Sequence, residues 1–561
     1  MPGPSTLSEQ VTAAPTGAGS VQGGETFQAN AQTGTGSYGI PIAVEPGPAG
    51  IAPALSLHYS THGGNGSCGQ GWSLALAEVR RRTDKGLPSY DDRSDRFALQ
   101  GDEVVPVGGE HYRLLTETRF AQVRHVQHGG RDLWMTEERD GTRVLYGETP
   151  ASRTSDGRGR IVAWRVSRKQ DANGNEVHFR YDRSARSDDP RLSEVTWGGC
   201  YRVRIDWELR PDIIEDATPG FVVRQGHRIA SIHVEVRRSD TEQFVSIRRY
   251  ELTYESSPWS GRSLLVSVRQ FGLTADGAEA SFPATQLTYT SSTVGRGRWH
   301  DVRGAVPSES LSSGDLQLVR QSGSGMPDVL QTRPSGAHLF RNLGEGLIEA
   351  SMSVQFPAAV RLADPGVFLS DMDADGFADL VVQGGRHVYR MAVGGGFSQP
   401  LASASRPSFD LDDPSVRVAD LTGNGLPDVL RAGPGGWDFF ENLGNGTWAR
   451  PVRVLRPARV HLDDPRVHLV DFTGDGMADL VYMDGRSILL FRGRGRGSFD
   501  EAESIVGGLR LGGRHDPAAV RWLDLTGSGQ ADLAYIQGGE VRVCLNLSAG
   551  SGRRRRGAWV G

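Results

Sequence analysis

Four aspartates, Asp371, Asp373, Asp375 and Asp379, stand at positions 1, 3, 5 and 9 of one short segment, with Gly376 at position 6. A glycine there lets a tight turn aim several carboxylate oxygens at one point, the arrangement that calcium takes with roughly six to eight oxygen ligands. Asp471, Asp475 and Asp479 repeat the layout, with Thr473 between them. The expected cofactor is therefore a structural calcium ion, held first by Asp371, Asp373, Asp375 and Asp379 and next by Asp471, Asp475 and Asp479. Such an ion would fasten a turn and catalyse nothing. The competing reading is an Asx-type turn, in which short polar side chains cap their own backbone N–H groups without a metal.

The elements that must position these carboxylates come from an internal repeat. Related segments begin at Arg320, Asp371, Asp420, Asp471 and Asp524, so successive first positions lie 51, 49, 51 and 53 residues apart. The loops at Asp420 and Asp524 keep two aspartates each, and Arg320 stands beside Ser322, Ser324 and Asp328, which makes an ion in those loops unexpected. A strand-ending G-x-G recurs at Gly295, Gly344, Gly394, Gly444 and Gly495, and an Asp-Pro pair recurs at Asp364, Asp413, Asp464 and Asp516. Short strands, glycine turns and a period near 50 predict the blades of a β-propeller over residues 291–552, five or six in number.

Residues 33–290 read differently. Leu55, Leu57 and Tyr59, then Trp72, Leu74 and Leu76, then Tyr250, Leu252 and Tyr254 alternate with polar residues. Period two means sheet, and Asp140-Gly141, Asn173-Gly174 and Gly198-Gly199 supply turns. The expected fold class is all-β. Residues 1–32 read as a disordered tail, and residues 553–561, with Arg553 to Arg556, as a basic tail that is a possible truncation point.

Several chemistries are excluded by what is missing. Lys85 and Lys169 are the only lysines and neither follows a phosphate-loop glycine pattern. The net charge of -5 gives no general attraction to nucleic acid or anionic lipid. Cys68, Cys200 and Cys544 form no C-x-x-C pair, so at most one disulfide is expected. Gly34–Gly39 and Gly64–Gly69 match G-x-G-x-x-G, but each is followed by a strand pattern where a dinucleotide site needs a helix. No G-x-S-x-G or H-E-x-x-H occurs; His58, His178 and His233 read as strand residues. Glu501 and Glu503 have the paired spacing of ADP-ribosyltransferases, but they fall in a repeat spacer where solvated strand residues are expected. No apolar run is long enough for a transmembrane helix and no secretory signal is visible. An enzymatic reading would require an unrecognised site within residues 100–290.

The stretches Gly36–Val44, Pro53–Ser60, Gly69–Leu74 and Arg82–Gly86 resemble the opening of the amino-terminal domain of the Salmonella virulence plasmid B protein family, which is shared with the B component of Tc-type insecticidal toxin complexes. Asp140–Gly147, Asp171–Tyr181 and Ser263–Gly272 resemble the YD-type repeats of the same superfamily, and the aspartate loops resemble VCBS or FG-GAP repeats of integrin-type propellers. The resemblance implies a non-enzymatic assembly role. The first half would contribute strands to a shell around a toxic C-type cargo component, and the propeller would dock on a pore-forming A-type component. It further implies a protein that acts outside the cell after a cytoplasmic stage. The family's shell continues past the propeller, so the chain reads as a fragment or remnant. The alternative is a secreted or surface adhesion module of integrin type that binds in a calcium-dependent way.

Overall fold

The computed structural model describes residues 27–289 and 303–560, apart from short internal stretches of which 401–408 and 547–558 are the longest. Among the described residues, helix is limited to three short 3₁₀ turns, Pro48–Gly50, Pro150–Ser152 and Pro517–Ala519, each opened by a proline whose fixed φ suits a first helical position. The rest of the regular structure is strand, so the all-β expectation holds.

Eight strands close into a ring: Glu78–Arg81, Phe97–Leu99, Asp102–Gly108, His111–Leu114, Gln122–Val126, Leu133–Glu137, Arg143–Tyr146 and Ile161–Gln170. The last pairs back on the first, with Trp164 opposite Val79. Side chains alternate in and out along each strand, which fills the interior with Phe97, Tyr112, Val123, Trp134, Tyr146 and Trp164. Burying each of these large side chains is worth about 2–3 kcal/mol.

Strand Ile161–Gln170 also opens a meander of long antiparallel strands: Glu176–Ser184, Ser187–Trp197, Tyr201–Asp216, Val223–Val236, Val245–Ser256 and Ser263–Leu273. The expected turns are present, with Gly141 and Gly174 at φ +83° and +84°. A four-stranded sheet of Gln28–Asn30, Thr35–Pro41, Ser56–Ser60 and Trp72–Leu74 packs on the meander through Leu57, Trp72, Trp197 and Ile229. Its first strand lies inside the segment expected to be a tail. The Phe27 ring lies where a side chain on Gly36 would sit, and only a glycine lets the incoming chain pack that close.

Five four-stranded antiparallel sheets follow. Their second strands are Asp328–Arg333, Asp379–Val382, Asp428–Gly433, Asp479–Met483 and Asp532–Gln537, so each begins at position 9 of a repeat loop. Shared cores join neighbours: Leu339 with Leu380, Phe439 with Leu480, and Leu490 with Leu533. The fifth sheet takes its outer strand from Trp559–Val560, within the stretch expected to be a basic tail, because Asn546 and Leu545 still offer a pairing edge. Arg553 to Arg556 lie outside the described residues.

Candidate functional site

Position 9 of the repeat is the most buried carboxylate of each sheet. Asp328, Asp379, Asp428, Asp479 and Asp532 are all 0% exposed. One oxygen accepts the N–H of position 2: Met372, Leu421, Phe472 and Leu525 donate at 2.9–3.0 Å to Asp379, Asp428, Asp479 and Asp532. Where the partner is described, the other oxygen accepts from a residue at the end of the third strand: Asn342, Asn442, Gly493 or Asn546, at 2.7–2.9 Å. This aspartate is a staple between loop and sheet.

Position 1 behaves as an Asx cap in the better-described loops. Asp420 accepts the N–H groups of Thr422, Gly423, Asn424 and Gly425. Asp471 accepts those of Gly474, Asp475 and Gly476. Gly425 and Gly476, at φ +80° and +90°, occupy a conformation that other residues rarely adopt. Burial, aided by Asp475 and Asp479, pushes Asp471 up to about 8, and burial with Asp479 pushes Asp475 up to about 7.

The Asp371 loop differs. Oxygens of Asp371, Asp373 and Asp379 lie within 4.8 Å of one another, and this is the one such trio among the described residues. Asp375 lies outside them. Asp373 also forms an ion pair with Arg390 of the neighbouring strand. Asp471, Asp475 and Asp479 are not gathered in this way; their oxygens are turned onto backbone N–H groups. The donor set at Asp371, hard oxygens only, fits calcium chemistry.

The loops of the third and fourth sheets face the first half of the chain. Ala217 donates its N–H to the Asp475 carbonyl at 3.2 Å. A Cβ on Gly423 or Gly476 would lie 3.0 or 2.9 Å from the Thr218 methyl, so close approach as well as φ favours glycine there. Glu215, nearly buried, bridges Arg224 at 2.6 Å and Arg492 of the fourth sheet at 3.1 Å.

The ring of eight strands holds a cluster that no motif announced. The His125 imidazole stacks on Trp134 at 4.2 Å, with Asp132 2.9 Å from Nε2 and Asp92 3.3 Å from Nδ1. Burial opposes its charge, but the two carboxylates outweigh burial and raise it. Asp92, bonded to His125 and Arg81, is held at about 2 despite its burial. Residues so far apart in sequence carry no readable spacing.

A cleft of about 690 Å³ beside the ring is lined by Arg165, Ser187, Asp189, Trp207 and His227. Ser187 Oγ lies 3.1 Å from His227 Nδ1, but it accepts the Gly226 N–H, and no carboxylate bonds His227 among the described residues. Asp189 is committed to Arg165 at 2.6 Å. A nucleophile–base–acid relay is therefore not assembled there. Glu503 is exposed and paired with Arg492 at 3.4 Å, as expected of a solvated strand. Cys68, Cys200 and Cys544 are free thiols, and burial pushes Cys68 up to about 12, which makes it inert.

Comparison with known proteins fits this division. Residues 30–111 and 109–197 match the family described as Salmonella virulence plasmid 65kDa B protein, and residues 420–482 and 471–535 match the FG-GAP-like repeat. The chain is thus similar to SpvB in its first part and to FG-GAP-like repeats in its last. Its SpvB part is 29% identical to Mono(ADP-ribosyl)transferase SpvB of Salmonella typhimurium (strain 14028s / SGSC 2262), over 28% of this chain and 32% of that protein, and equally so to the protein of Salmonella dublin. The chain thus spans about a third of the length of those relatives. The fold extends further: the Photorhabdus luminescens Tc holotoxin pore aligns with 96% of this chain and 29% of its own, at a TM-score of 0.78 and 22% identity. TcdB2-TccC3 aligns over 96% and 33% at 0.57 and 19%.

Proposed function

We propose that this chain is a non-enzymatic structural and docking part of a bacterial toxin complex. The SpvB-type half contributes shell wall and the sheets of the second half bind a pore-forming component, while a C-type cargo is the second partner and the complex acts outside the cell. The observation that carries this reading is the likeness to a holotoxin chain across both halves in one arrangement, at a TM-score of 0.78 over 96% of the chain. The fold alone does not set the task of a sheet assembly. The supporting detail is local: the loops of the third and fourth sheets are engaged by Thr218, Ala217 and Glu215, so the halves are built to act as one body.

A structural calcium ion at Asp371, Asp373 and Asp379 belongs to the same proposal, as a brace for the second sheet. The test is co-purification of the full chain with a pore-forming A-type component at micromolar concentration, with and without chelator. Association is expected in both conditions. Failure to associate would sink the docking role. Association only with calcium, joined to binding of host protein or glycan, would favour an adhesion module.

A further inference from the structure

On the first strands of the fourth and fifth sheets, and in the segment leading into the latter, three buried side-chain nitrogens have no hydrogen-bond partner. His468 lies in the first strand of the fourth sheet, Val467–Val470, and Trp522 in the first strand of the fifth, Val520–Leu523, with ring centroids 5.9 Å apart. His515 precedes that fifth-sheet strand. His468 Nε2, His515 Nε2 and Trp522 Nε1 are each sealed from solvent and make no hydrogen bond. Buried polar atoms in native proteins are rarely left in that state, and an indole N–H can only donate.

Of the charges acting on His468, Arg417 and His515 oppose its protonation and Asp464 favours it. Arg417, in the first strand of the third sheet, spends Nη1 on the carbonyls of Pro414 and Val416, at 2.9 and 3.0 Å, and forms no ion pair among the described residues. Asp464, whose charge acts on His468, is tied to Arg466 at 2.7 Å. Asp463 is exposed and acts on Arg417 only at a distance. Burial, Arg417 and His515 together push His468 down to about 4. A metal ion would want the same imidazole nitrogens, but it would face a guanidinium and find no carboxylate to complete its shell. An anion would meet the indole N–H of Trp522 and the Arg417 guanidinium.

We propose that His468, His515, Trp522 and Arg417 form a pocket for one small oxyanion, a carboxylate or a phosphate.

The test titrates the full chain from about pH 3.5 to 7, with acetate and inorganic phosphate as separate probes. The His468 imidazole resonance is assigned by its loss in His468→Gln. Saturating anion is expected to raise the His468 midpoint by about one unit, a tenfold change in proton affinity. A larger rise with acetate identifies the carboxylate, and a larger rise with phosphate the tetrahedral anion. Arg417→Gln is expected to weaken that anion about tenfold, because a hydrogen bond to a charged group is lost, and Arg417→Lys to keep most of the affinity. No shift with either anion, or equal binding by the wild type and Arg417→Gln, overturns the proposal. Should Arg417→Gln not fold, His515→Gln replaces it, with the same loss expected and the same reading of equal binding.

Discussion

The ring of eight strands and the position-9 aspartates of the five sheets both bury ionisable side chains, and they neutralise them in different ways. In the ring, and in the meander beyond it, charge meets charge: Arg81 with Asp95 at 2.7 Å, His125 with Asp92 and Asp132, Arg165 with Asp189, and Arg210 with Asp212 at 3.1 Å. In the sheets a carboxylate meets backbone N–H groups, as at Asp428 and Asp479. A counter-charge lowers a carboxylate and raises an imidazole. Backbone dipoles, spread over a buried site with a second aspartate nearby, do not fully offset burial, and Asp428 is pushed up to about 7.

The contrast is broken most severely at the staple. Asp428→Ala leaves the Leu421 N–H, the Thr422 hydroxyl and the Asn442 N–H without their acceptor. At about 1–2 kcal/mol for each orphaned donor, the loss is about 4 kcal/mol, and the melting temperature of the sheets falls by roughly 8–16 °C. Calorimetry of the full chain, with a separate signal for each half, checks it. In the ring, Asp92→Ala strips one partner from both Arg81 and His125, each of which keeps another in Asp95 and Asp132. The expected cost is about 3 kcal/mol, the low end for a broken buried pair because Asp92 is partly exposed. If this variant lost nothing, the paired-charge account of the ring would fail.

The pH trends should also diverge. Asp428 binds its proton more tightly in the folded state, so stability falls as pH rises from about 4, the unfolded value, to about 7. In the ring the signs reverse: Asp92 at about 2 adds stability that is complete above about 4 and lost below, and raised His125 adds stability that is complete below about 6.5 and lost above. Between pH 4 and 6.5 the ring should hold steady while the sheets weaken. Asp428→Asn should reduce the sheets' slope by up to about 1.4 kcal/mol per pH unit. Urea titrations across that window compare the slopes, and an unchanged slope would rule out Asp428 as the titrating group.

What the sequence revealed follows the same line. The staple recurs at fixed local spacing, so the repeat, its glycines and the sheet grammar were legible. His125, Asp92 and Asp132 meet only because ring closure brings three separate segments together, and nothing in their spacing signals it. The strand at Gln28–Asn30 was hidden because its pairing depends on Phe27 lying over a side-chain-free Gly36, a contact between weakly patterned segments. The two acidic loops looked alike as text. They differ in whether the oxygens gather: those of Asp371, Asp373 and Asp379 lie within 4.8 Å of one another, and among the described residues those of Asp471, Asp475 and Asp479 form no such group.

That difference sets the smallest expected effect. In the Asp371 loop three carboxylates converge within 4.8 Å, and Arg390 is the competing cation through its ion pair with Asp373. Calcium should therefore bind weakly, with a dissociation constant on the order of 10⁻⁴–10⁻³ M, the range of extracellular modules. At ten times that constant it would stabilise by about 1.4 kcal/mol, a few degrees in melting temperature. Asp373→Asn should abolish the response, whereas Asp475→Asn should leave it intact because Asp475 caps Met477 in a loop already closed by its own backbone. Arg390→Gln should sharpen the contrast by tightening calcium binding about tenfold, since the ion no longer displaces a guanidinium. Titration calorimetry of the three variants decides it. A calcium response that survives Asp373→Asn and disappears in Asp475→Asn would move the site to the loop at Asp471 and make the buried carboxylates there, not the backbone, the acceptors of charge.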